Sequence, residues 1–260
     1  MEGKVLIIAG SDSGGGAGIQ GDIKTITSLN SYAATAITAL TAQNTEGVSG
    51  IHAVPKEFVK QQIESVLLDI GADVIKTGML LNKDIIEAVA ETISSYKIPI
   101  ILDPVMIAKG GKALLEDDAI DALKEKLIPL SLLVTPNIPE AEKLSGKAIS
   151  SKEDMIEAGK FIKESLNANA VLIKGGHLKG DDIYDILITD DIEVLESKRI
   201  DSKNTHGTGC TLASSIAAFV SKGENISDAV KNAREYVKKA IETAPDIGKG
   251  HGPLNHMHNL

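Results

Sequence analysis

The chain has 260 residues, of which 43% are hydrophobic and 24% are charged, so it can bury a core and is too apolar to be disordered. Its formal net charge of −9 and its 3% aromatic content argue against a nucleic-acid partner, because such proteins are usually basic and stack bases on aromatic rings. The single Cys excludes an intrachain disulfide and is typical of a reducing cytoplasm, and the apolar run at residues 5–9 is too short for a membrane span. We therefore expect a cytoplasmic protein with no membrane partner.

Short apolar runs alternate with longer amphipathic runs along the chain up to Gly176. This alternation predicts an α/β fold with a mostly parallel central sheet and helices on both faces. The predicted strands are residues 5–9, 34–40, 74–77, 98–102, 132–135 and 170–174. The predicted helices are residues 19–29, 56–68, 83–94, 117–126, 139–144 and 152–165.

The pattern changes after Gly176. Residues 183–189 and 192–197 flank Asp190-Asp191 and predict an antiparallel hairpin at one edge of the sheet. Two predicted helices, 211–221 and 225–243, follow the hairpin. No linker, repeat or low-complexity segment interrupts the chain, so residues 1–260 are predicted to form one domain.

Polar residues follow the predicted strands where each strand ends. They are Gly10-Ser11-Asp12, Gln43-Asn44, Lys76-Thr77-Gly78-Met79, Asp103-Pro104, Thr135-Pro136-Asn137 and Lys174-Gly175-Gly176-His177. In a parallel α/β sheet, ligands bind beyond the carboxyl ends of the strands. The sequence therefore predicts one ligand site at this edge of the sheet.

The most informative motif lies at the start of the helix predicted at 211–221. It reads Asn204-Thr205-His206-Gly207-Thr208-Gly209-Cys210-Thr211. Its two glycines leave the backbone N–H groups of a first helical turn free to close around an anion. The pKa of the Cys210 thiol is expected to fall at this positive helix end. An anion hole beside a proton acceptor suits a kinase, and a buried, inert cysteine is the alternative.

The loop after the first strand contains GAGIQG at residues 16–21, which matches the G-x-G-x-x-G pattern of dinucleotide-binding proteins. Such proteins also carry an acid after the next strand, which holds the ribose. Residues 34–44 contain no Asp or Glu, so a dinucleotide-dependent oxidoreductase is disfavoured. A flexible strand-to-helix turn and a substrate loop with Asp22 as its carboxylate remain as interpretations.

Asn137 and Glu140 lie three residues apart at the start of a predicted helix, so both can lie on one face. With Asp103 at the neighbouring strand end, they provide the oxygen ligands that Mg²⁺ prefers. A helix N-terminus with a favourable acid in its first turn explains the pair equally well. Lys174 is a candidate for neutralising phosphate, or a solvated lysine. No G-x-x-x-x-G-K-[ST] motif occurs, which excludes a Walker-type kinase.

These motifs run through the chain in order and are specific in combination. They are Gly10-Ser11-Asp12-Ser13, Thr41-Ala42-Gln43-Asn44-Thr45, Lys76-Thr77-Gly78-Met79, Asp103-Pro104-Val105-Met106, Thr135-Pro136-Asn137-Ile138-Pro139-Glu140, Lys174-Gly175-Gly176-His177, His206-Gly207-Thr208-Gly209-Cys210-Thr211 and Gly250-His251-Gly252-Pro253-Leu254-Asn255-His256. Together they resemble the hydroxymethylpyrimidine/phosphomethylpyrimidine kinases of thiamine biosynthesis. The resemblance implies a ribokinase-like fold, often a homodimer. It also implies transfer of the ATP γ-phosphoryl group to the hydroxymethyl of the pyrimidine, then a second phosphorylation to the pyrophosphate.

The resemblance also implies a role for each residue at the edge of the sheet. Cys210 stands where the wider superfamily has an Asp base, and it is the candidate base or hydroxyl-orienting group. The other implied roles are Gly207, Thr208 and Gly209 as N–H donors to the transferring phosphoryl group; Gln43, Asp22, Met79, Met106 and Gly10 at the pyrimidine; Lys174 and Asn137 at the ATP phosphates; and Asp103 and Glu140 at Mg²⁺. The planar amide of Gln43 matches the ring nitrogen and exocyclic amine of the pyrimidine.

Two alternatives to this function stay open. Pyridoxal or pyridoxine kinase activity fits the same scaffold, because those substrates carry a similar hydroxymethyl ring. A pyrimidine-binding protein without catalysis would keep the pocket, although the intact glycine pair and Cys210 count against it.

Overall fold

The computed structural model describes residues 1–107, 111, 113–116 and 118–260. Its strands are β1 (Lys4–Asp12), β2 (Tyr32–Asn44), β3 (Gly47–Ala53), β4 (Val74–Thr77), β5 (Ile100–Leu102), β6 (Leu133–Val134), β7 (Val171–Ile173), β8 (Asp182–Ile188) and β9 (Ile192–Lys198). Its helices are α1 (Gly18–Ser28), α2 (Lys56–Asp69), α3 (Lys83–Ser94), α4 (Ala119–Ala122), α5 (Ile138–Ser145), α6 (Lys152–Ser165), α7 (Thr208–Ser221) and α8 (Ile226–Glu242).

Within the described residues, the strands form one sheet in the order β3-β2-β1-β4-β5-β6-β7-β8-β9. The strands from β2 to β7 in this order are parallel, whereas β3 at one edge and the β8–β9 hairpin at the other are antiparallel. The predicted α/β class, with a mostly parallel sheet and an edge hairpin, is confirmed. The sequence does not predict β3, whose residues GVSGIHA include two glycines and little apolar alternation.

The sheet is covered by helices on both faces, as predicted. Along β1, Leu6 and Ile8 belong to one apolar cluster with residues of α2, α3, α5 and α6, while Val5 and Ile7 belong to another with residues of α1, α7 and α8. This alternation follows from the two-residue period of a strand. Because both faces are buried, the middle strands are short and entirely apolar.

Two predicted helices differ in their bounds. In place of a helix over 117–126, α4 is followed by a π-helical turn at Leu123–Leu127 and a 3₁₀ turn at Ile128–Leu130, and residue 117 lies outside the described residues. Pro129 lacks the N–H that would continue the α-helical bonds. Helix α7 begins at Thr208, three residues before the predicted start, so the glycine motif forms its first turn.

A segment near the end of the chain, residues 250–256, here called the strap, crosses the loops beside the carboxyl ends of the strands. The His251 N–H donates to the Thr45 carbonyl at 2.9 Å, and the His206 N–H donates to the Gly252 carbonyl at 3.1 Å. His256 Nε2 lies 3.1 Å from Thr211 Oγ1. The strap therefore joins the turn between β2 and β3 to the start of α7. No helix among the described residues is long and apolar enough to cross a bilayer.

Candidate active site

A cavity of about 690 Å³ lies at the carboxyl ends of the parallel strands. Its wall joins the segments that follow these strands to the first turn of α7. Every predicted site residue except Asp22 and Met106 lines it: Gly10, Gln43, Met79, Asp103, Asn137, Glu140, Lys174, Gly207, Thr208, Gly209 and Cys210. The structure thus brings the motifs together at the predicted edge of the sheet.

The first turn of α7 is held close to two neighbours by its glycines. Gly207 caps the helix with φ +86°, and a Cβ there would lie 1.9 Å from the carbonyl oxygen of Gly16. A Cβ at Gly209 would lie 3.3 Å from Lys174 Nζ. Only glycine fits the first position, since it accepts a left-handed backbone and leaves room for Gly16. The residues of this turn line the cavity beside Lys174, as an anion site requires, although the Thr208 N–H already donates to the Thr205 carbonyl at 3.4 Å.

The Cys210 thiol lines the cavity in the same turn, but its pKa differs from the expectation. Burial raises the pKa of Cys210 to about 12, although Lys76 and the backbone of Gly18 lower it. The predicted fall in pKa at the helix end is therefore wrong, because loss of solvation outweighs the helix dipole. At neutral pH this group is a thiol that can donate or orient a hydrogen bond, and it is not a standing thiolate.

Lys174 and Asp103 form an ion pair on the cavity wall. Lys174 Nζ lies 2.8 Å from Asp103 Oδ1, and the Thr135 hydroxyl donates to the same oxygen at 3.3 Å. Burial lowers the pKa of Lys174, but the carboxylates of Asp103 and Glu140 raise it further. Lys174 is thus a charged cation beside the α7 turn and not a solvated lysine.

Asn137 and Glu140 form a capping box at the start of α5. The Glu140 N–H donates to Asn137 Oδ1 at 3.0 Å, and the Asn137 N–H donates to Glu140 Oε2 at 2.8 Å. This is the structural alternative that the sequence left open. Because both residues also line the cavity, the cap fixes where the Glu140 carboxyl stands in the site.

The two carboxyl groups on the cavity wall, Asp103 and Glu140, suit a Mg²⁺ ion that is bound partly by the protein and partly by water and phosphate. Burial raises the pKa of Glu140 to about 7, with Lys174 lowering it and Asp103 raising it. The described residues contain no group of three or more His, Cys, Asp or Glu that could hold a metal by themselves. Magnesium usually binds one or two carboxylates together with water and substrate phosphates. Asp103 and Glu140 match that donor set and do not match an all-protein cage.

The raised pKa of Glu140 predicts a pH-dependent effect of Glu140→Gln on stability without Mg²⁺ or nucleotide. Between its ordinary pKa of 4.5 and about 7, folded Glu140 binds more protons than unfolded Glu140, so its contribution to stability falls as pH rises. Glutamine keeps the cap and removes the charge. We expect urea unfolding to show the variant gaining stability relative to the parent protein between pH 5 and pH 8. Glu164→Gln, an exposed change in α6, is the control, and equal pH profiles for the two variants would contradict the prediction.

The opposite end of the cavity carries Gly10, Met79 and Gln43. A Cβ at Gly10 would lie 2.9 Å from Met79 Sδ, so the methionine packs directly over the glycine. The Gln43 amide lies between Thr41 Oγ1, at 3.1 Å, and His206 Nε2, at 3.2 Å. This end therefore combines a soft apolar surface with one planar amide.

Two predicted site residues lie outside the cavity. Asp22 is fully buried, where its carboxylate accepts from Lys76 Nζ at 3.0 and 2.8 Å and from the Ser214 hydroxyl. The predicted contact between Asp22 and a substrate is therefore corrected to a buried ion pair. Met106 belongs to the apolar core, and its backbone N–H donates to Glu140 Oε1 at 3.4 Å. Its side chain packs in the core and not against a ligand ring.

The glycine-rich loop after β1 folds around the carboxylate of Asp12. The sequence does not predict this structural role of Asp12. The Asp12 carboxylate accepts from the N–H groups of Gly14, Gly16 and Ala17 at 2.8, 3.1 and 2.9 Å, and it lies 2.8 Å from His206 Nε2. These N–H groups are the ones that a dinucleotide pyrophosphate would need. The dinucleotide hypothesis therefore fails on geometry as well as on the missing acid.

A second interaction that the sequence does not predict holds the cavity wall next to Lys174. It is made by Asp185 and Arg234. The Gly175 N–H donates to Asp185 Oδ1 at 2.9 Å, and Arg234 Nε donates to Asp185 Oδ2 at 2.8 Å. Asp185 and Arg234 both line the cavity. Asp185 is a buried acid beside the apolar residues that end strand β8, and this is the sequence signal that could have indicated the contact.

The known proteins that are similar in sequence to this chain belong to one family. A model of the family described as phosphomethylpyrimidine kinase matches residues 12–255. The chain is 52% identical to the thiamine biosynthesis bifunctional protein ThiED of Geobacter sulfurreducens, covering 98% of this chain and 52% of that protein. It is 48% identical to the hydroxymethylpyrimidine/phosphomethylpyrimidine kinase of Bacillus subtilis, covering 98% of this chain and 94% of that one. It thus spans about half of the first relative and nearly all of the second.

The fold also matches a solved structure of a related kinase. An ADP complex of Bacillus subtilis pyridoxal kinase superposes with a TM-score of 0.91 at 38% identity, over 98% of each chain. The identity to the curated relatives, the family match over most of the chain and this superposition agree with the resemblance drawn from the motifs. The chain belongs to the phosphomethylpyrimidine kinase family.

Proposed function

We propose that this chain transfers the γ-phosphoryl group of ATP to the hydroxymethyl group of hydroxymethylpyrimidine and then phosphorylates the monophosphate to the pyrophosphate, in thiamine biosynthesis. The observation that carries the proposal is one cavity that contains both the amide of Gln43 and the N-terminal turn of α7. A ring held at Gln43 and a phosphoryl group held at α7 meet in that space. The names of the relatives at 52% and 48% identity support the same substrate.

The phosphates bind at the α7 turn. The N–H groups of Gly207 and Gly209 donate to the transferring phosphoryl group, where fixed donors stabilise developing charge. The predicted role of the Thr208 N–H is corrected, because that N–H donates to the Thr205 carbonyl at 3.4 Å. Lys174 and Asn137 face the remaining phosphates. Preorganised donors of this kind contribute about 3 kcal/mol each to the transition state.

The nucleoside of ATP extends from the phosphates toward α8. Ile200, Val237 and Ile241 line this part of the cavity and offer an apolar surface to the base. Asp103 and Glu140 hold Mg²⁺, which when bound neutralises phosphate charge. At that site Lys174 keeps its pair with Asp103 and holds the carboxylate toward the cavity.

The pyrimidine binds between Gly10, Met79 and Gln43. Met79 packs thioether surface on the ring, and the missing side chain at Gly10 makes room for Met79. The Gln43 amide pairs with the ring nitrogen and the exocyclic amine. In this pose the hydroxymethyl group is directed at the α7 turn, which lines the same cavity as Gln43.

Cys210 positions the substrate hydroxyl. Phosphoryl transfer passes through a loose transition state, in which positioning contributes more than early proton removal. With its pKa raised to about 12, the Cys210 thiol is suited to orienting the hydroxyl by a hydrogen bond.

We expect Cys210→Ala to retain pyrimidine binding and lose most turnover, because the orienting group is gone. Cys210→Ser should recover a large part of the turnover, since a hydroxyl can orient the substrate equally well. Single-turnover kinetics with calorimetric binding separate the two effects. Near-normal turnover of Cys210→Ala would remove Cys210 from the mechanism.

The proposal is tested by turnover with ATP and Mg²⁺ on hydroxymethylpyrimidine, its monophosphate and pyridoxal, with products resolved by mass. Conversion of both pyrimidines, with pyridoxal slower, supports the bifunctional kinase. Pyridoxal kinase is the second candidate, favoured by the TM-score of 0.91 to a pyridoxal kinase. Pyridoxal as the best substrate would establish it, and no turnover would favour a pyrimidine-binding protein without catalysis.

We also propose that residues 1–260 form one domain, that the protein is a homodimer and that it works in the cytoplasm. The continuous sheet from β3 to β9, which draws strands from Lys4 to Lys198, supports the first statement. The second statement rests on the resemblance to a family whose members are often homodimers. Light scattering after gel filtration decides the oligomeric state.

A further inference from the structure

The backbone just after Lys174 is held by a side chain of the neighbouring strand. Strand β7 ends at Ile173, the last residue that pairs with β8. The chain then enters a 3₁₀ turn at Gly175–His177. The first N–H groups of a helical turn have no partner within it, and the Gly175 N–H donates to Asp185 Oδ1 at 2.9 Å. The Asp185 carboxylate therefore attaches the chain to β8 beyond the end of the paired strands.

The backbone of Gly175 lies directly against β8. A Cβ at this position would collide with the carbonyl oxygen of Tyr184, the residue before Asp185. The absent side chain lets the two backbones approach closely. This closeness brings the Gly175 N–H within reach of the short side chain of Asp185.

The Asp185 carboxylate is held in turn by Arg234 of α8. Asp185 is buried, and a buried carboxylate costs free energy unless it is paired. Arg234 Nε donates to Asp185 Oδ2 at 2.8 Å. Arg234 Nη2 donates to the Leu195 carbonyl at 2.9 Å and to the Ser197 hydroxyl at 3.2 Å. The pair therefore joins β8, β9 and α8 to the N–H group that follows Lys174.

Lys174 lies between two fixed backbone bonds. Its own N–H donates to the Pro136 carbonyl at 2.9 Å, and the next N–H along the chain is the one that Asp185 accepts. Its Nζ lies 2.8 Å from Asp103 Oδ1 and would lie 3.3 Å from a Cβ at Gly209. Because the backbone is fixed on both sides, the side chain extends from the strand end toward the first turn of α7.

We infer that Asp185 and Arg234 are positioning residues, which hold the backbone of Gly175 so that the Lys174 ammonium stands beside the α7 turn and binds the phosphates of ATP. The presence of the phosphates there rests on the proposed function. Loss of Arg234 leaves the buried carboxylate unpaired and releases the Gly175 N–H, so the end of β7 can move away from the anion site. The affinity for ATP should then fall, whereas the pyrimidine at the opposite end of the cavity should bind as before.

The first test needs no substrate. Hydrogen exchange of ¹⁵N-labelled protein, followed by NMR, measures how often the Gly175 N–H is released from its acceptor. Arg234→Met should accelerate exchange at Gly175 about tenfold, as loss of one hydrogen bond implies. Equal exchange at Gly175 in this variant and in the parent protein overturns the inference, whether or not the chain is a kinase.

Lys231→Met is the matched control. Lys231 also joins α8 to β9, through Glu193 Oε2 at 2.8 Å, but it lies on the exposed side of α8 and has no contact with Gly175. This variant should leave both the exchange at Gly175 and the KM for ATP unchanged. An equal effect of both variants would mean that any loosening of α8 from the hairpin releases Gly175, and it overturns the specific role of Arg234.

The second test compares the two substrates. Arg234→Met should raise the KM for ATP about tenfold and leave the KM for hydroxymethylpyrimidine unchanged. Arg234→Lys keeps a cation opposite Asp185 and should recover part of the loss. If Arg234→Met does not fold, Asp185→Asn, which keeps the shape and removes the charge, should raise the KM for ATP in the same way. A rise in both KM values together, or in neither, overturns the inference.

A double-mutant cycle separates positioning from direct binding, because Arg234 also lines the cavity. In a Lys174→Met background, Arg234→Met should have little further effect on the KM for ATP, since Arg234 acts through Lys174. Additive effects would show that Arg234 contacts ATP itself, and they overturn the inference. Calorimetry with ADP measures the same affinities without turnover. A parent protein that binds no ADP counts against the proposed function, and the exchange of the Gly175 N–H still decides whether Arg234 holds the backbone.

Discussion

Replacing Lys76 by methionine is expected to lower the free energy of unfolding by about 3–5 kcal/mol, the usual cost of breaking a buried ion pair. Lys76 is 0% exposed, and its Nζ lies 3.0 and 2.8 Å from the carboxylate of Asp22. Burial lowers the pKa of Lys76, but the carboxylate of Asp22 raises it further, whereas burial raises the pKa of Asp22 against the lowering by Lys76 and Ser214. The two short contacts from Nζ to both carboxylate oxygens are those of a charged pair. Without the ammonium, the Asp22 carboxylate stays buried, and among the described residues its remaining side-chain partner is the Ser214 hydroxyl. Urea unfolding at pH 7 measures the loss.

Three further measurements make this prediction specific. Adding Asp22→Asn to Lys76→Met removes the unpaired charge, so the double variant should recover most of the lost stability. The single variant should also become relatively more stable as pH falls, because protonation of Asp22 relieves the buried charge. Lys60→Met breaks an exposed pair with Glu91 and should change stability little. If Lys76→Met is no worse than Lys60→Met, the buried pair does not stabilise the fold.

Gly207→Ala is expected to abolish turnover and to destabilise the protein by about 2–5 kcal/mol, from a left-handed backbone without glycine and a collision in a packed site. The new Cβ would lie 1.9 Å from the Gly16 carbonyl oxygen at φ +86°. To relieve this collision, the first turn of α7 must move away from the glycine-rich loop. That movement would disrupt the anion site. Thermal unfolding and single-turnover kinetics measure the two consequences.

Gly176→Ala is the matched control for stability. Gly176 also lines the cavity, but a Cβ there meets no atom within 4 Å, and its φ is not in the left-handed region. Its melting temperature should stay close to that of the parent protein. A similar fall for both variants would mean that loss of any cavity glycine, and not the contact with Gly16, sets the stability.

Most of the fold follows from local patterns in the sequence. The middle strands are continuous apolar runs because helices cover both of their faces, and the amphipathic helices between them have the matching period. The observed fold differs from the predicted one where the pairing between strands, and not the local sequence, determines the structure. Strand β3 exists because β2 extends to Asn44 and provides a partner, and its own residues show little preference. The helix predicted at 117–126 continues through π and 3₁₀ turns to Leu130, and Pro129, which has no N–H to donate, lies in the last of these turns.

The candidate site could be located from the sequence but not described in detail. Its residues follow strand ends, so their convergence is predictable from fold class alone. The partner of Asp22 is 54 residues away at Lys76, and no local pattern indicates that pairing. Local reasoning also favours a lowered pKa for Cys210, because the helix end is visible in the sequence. The burial that raises the pKa depends on how the whole chain packs.

The strap sets the order in which the site can be completed during synthesis. Thr45 is bound by Gly250 and His251, which lie more than two hundred positions later in the chain. The His206 ring contacts Asp12, 194 positions away, and the His206 backbone N–H donates to the Gly252 carbonyl. A growing chain can pair its parallel strands long before those residues leave the ribosome. The loops around the cavity gain their last contacts only when the strap has emerged. Nascent chains halted before residue 250 should therefore resist proteases in the sheet while remaining unable to turn over substrate.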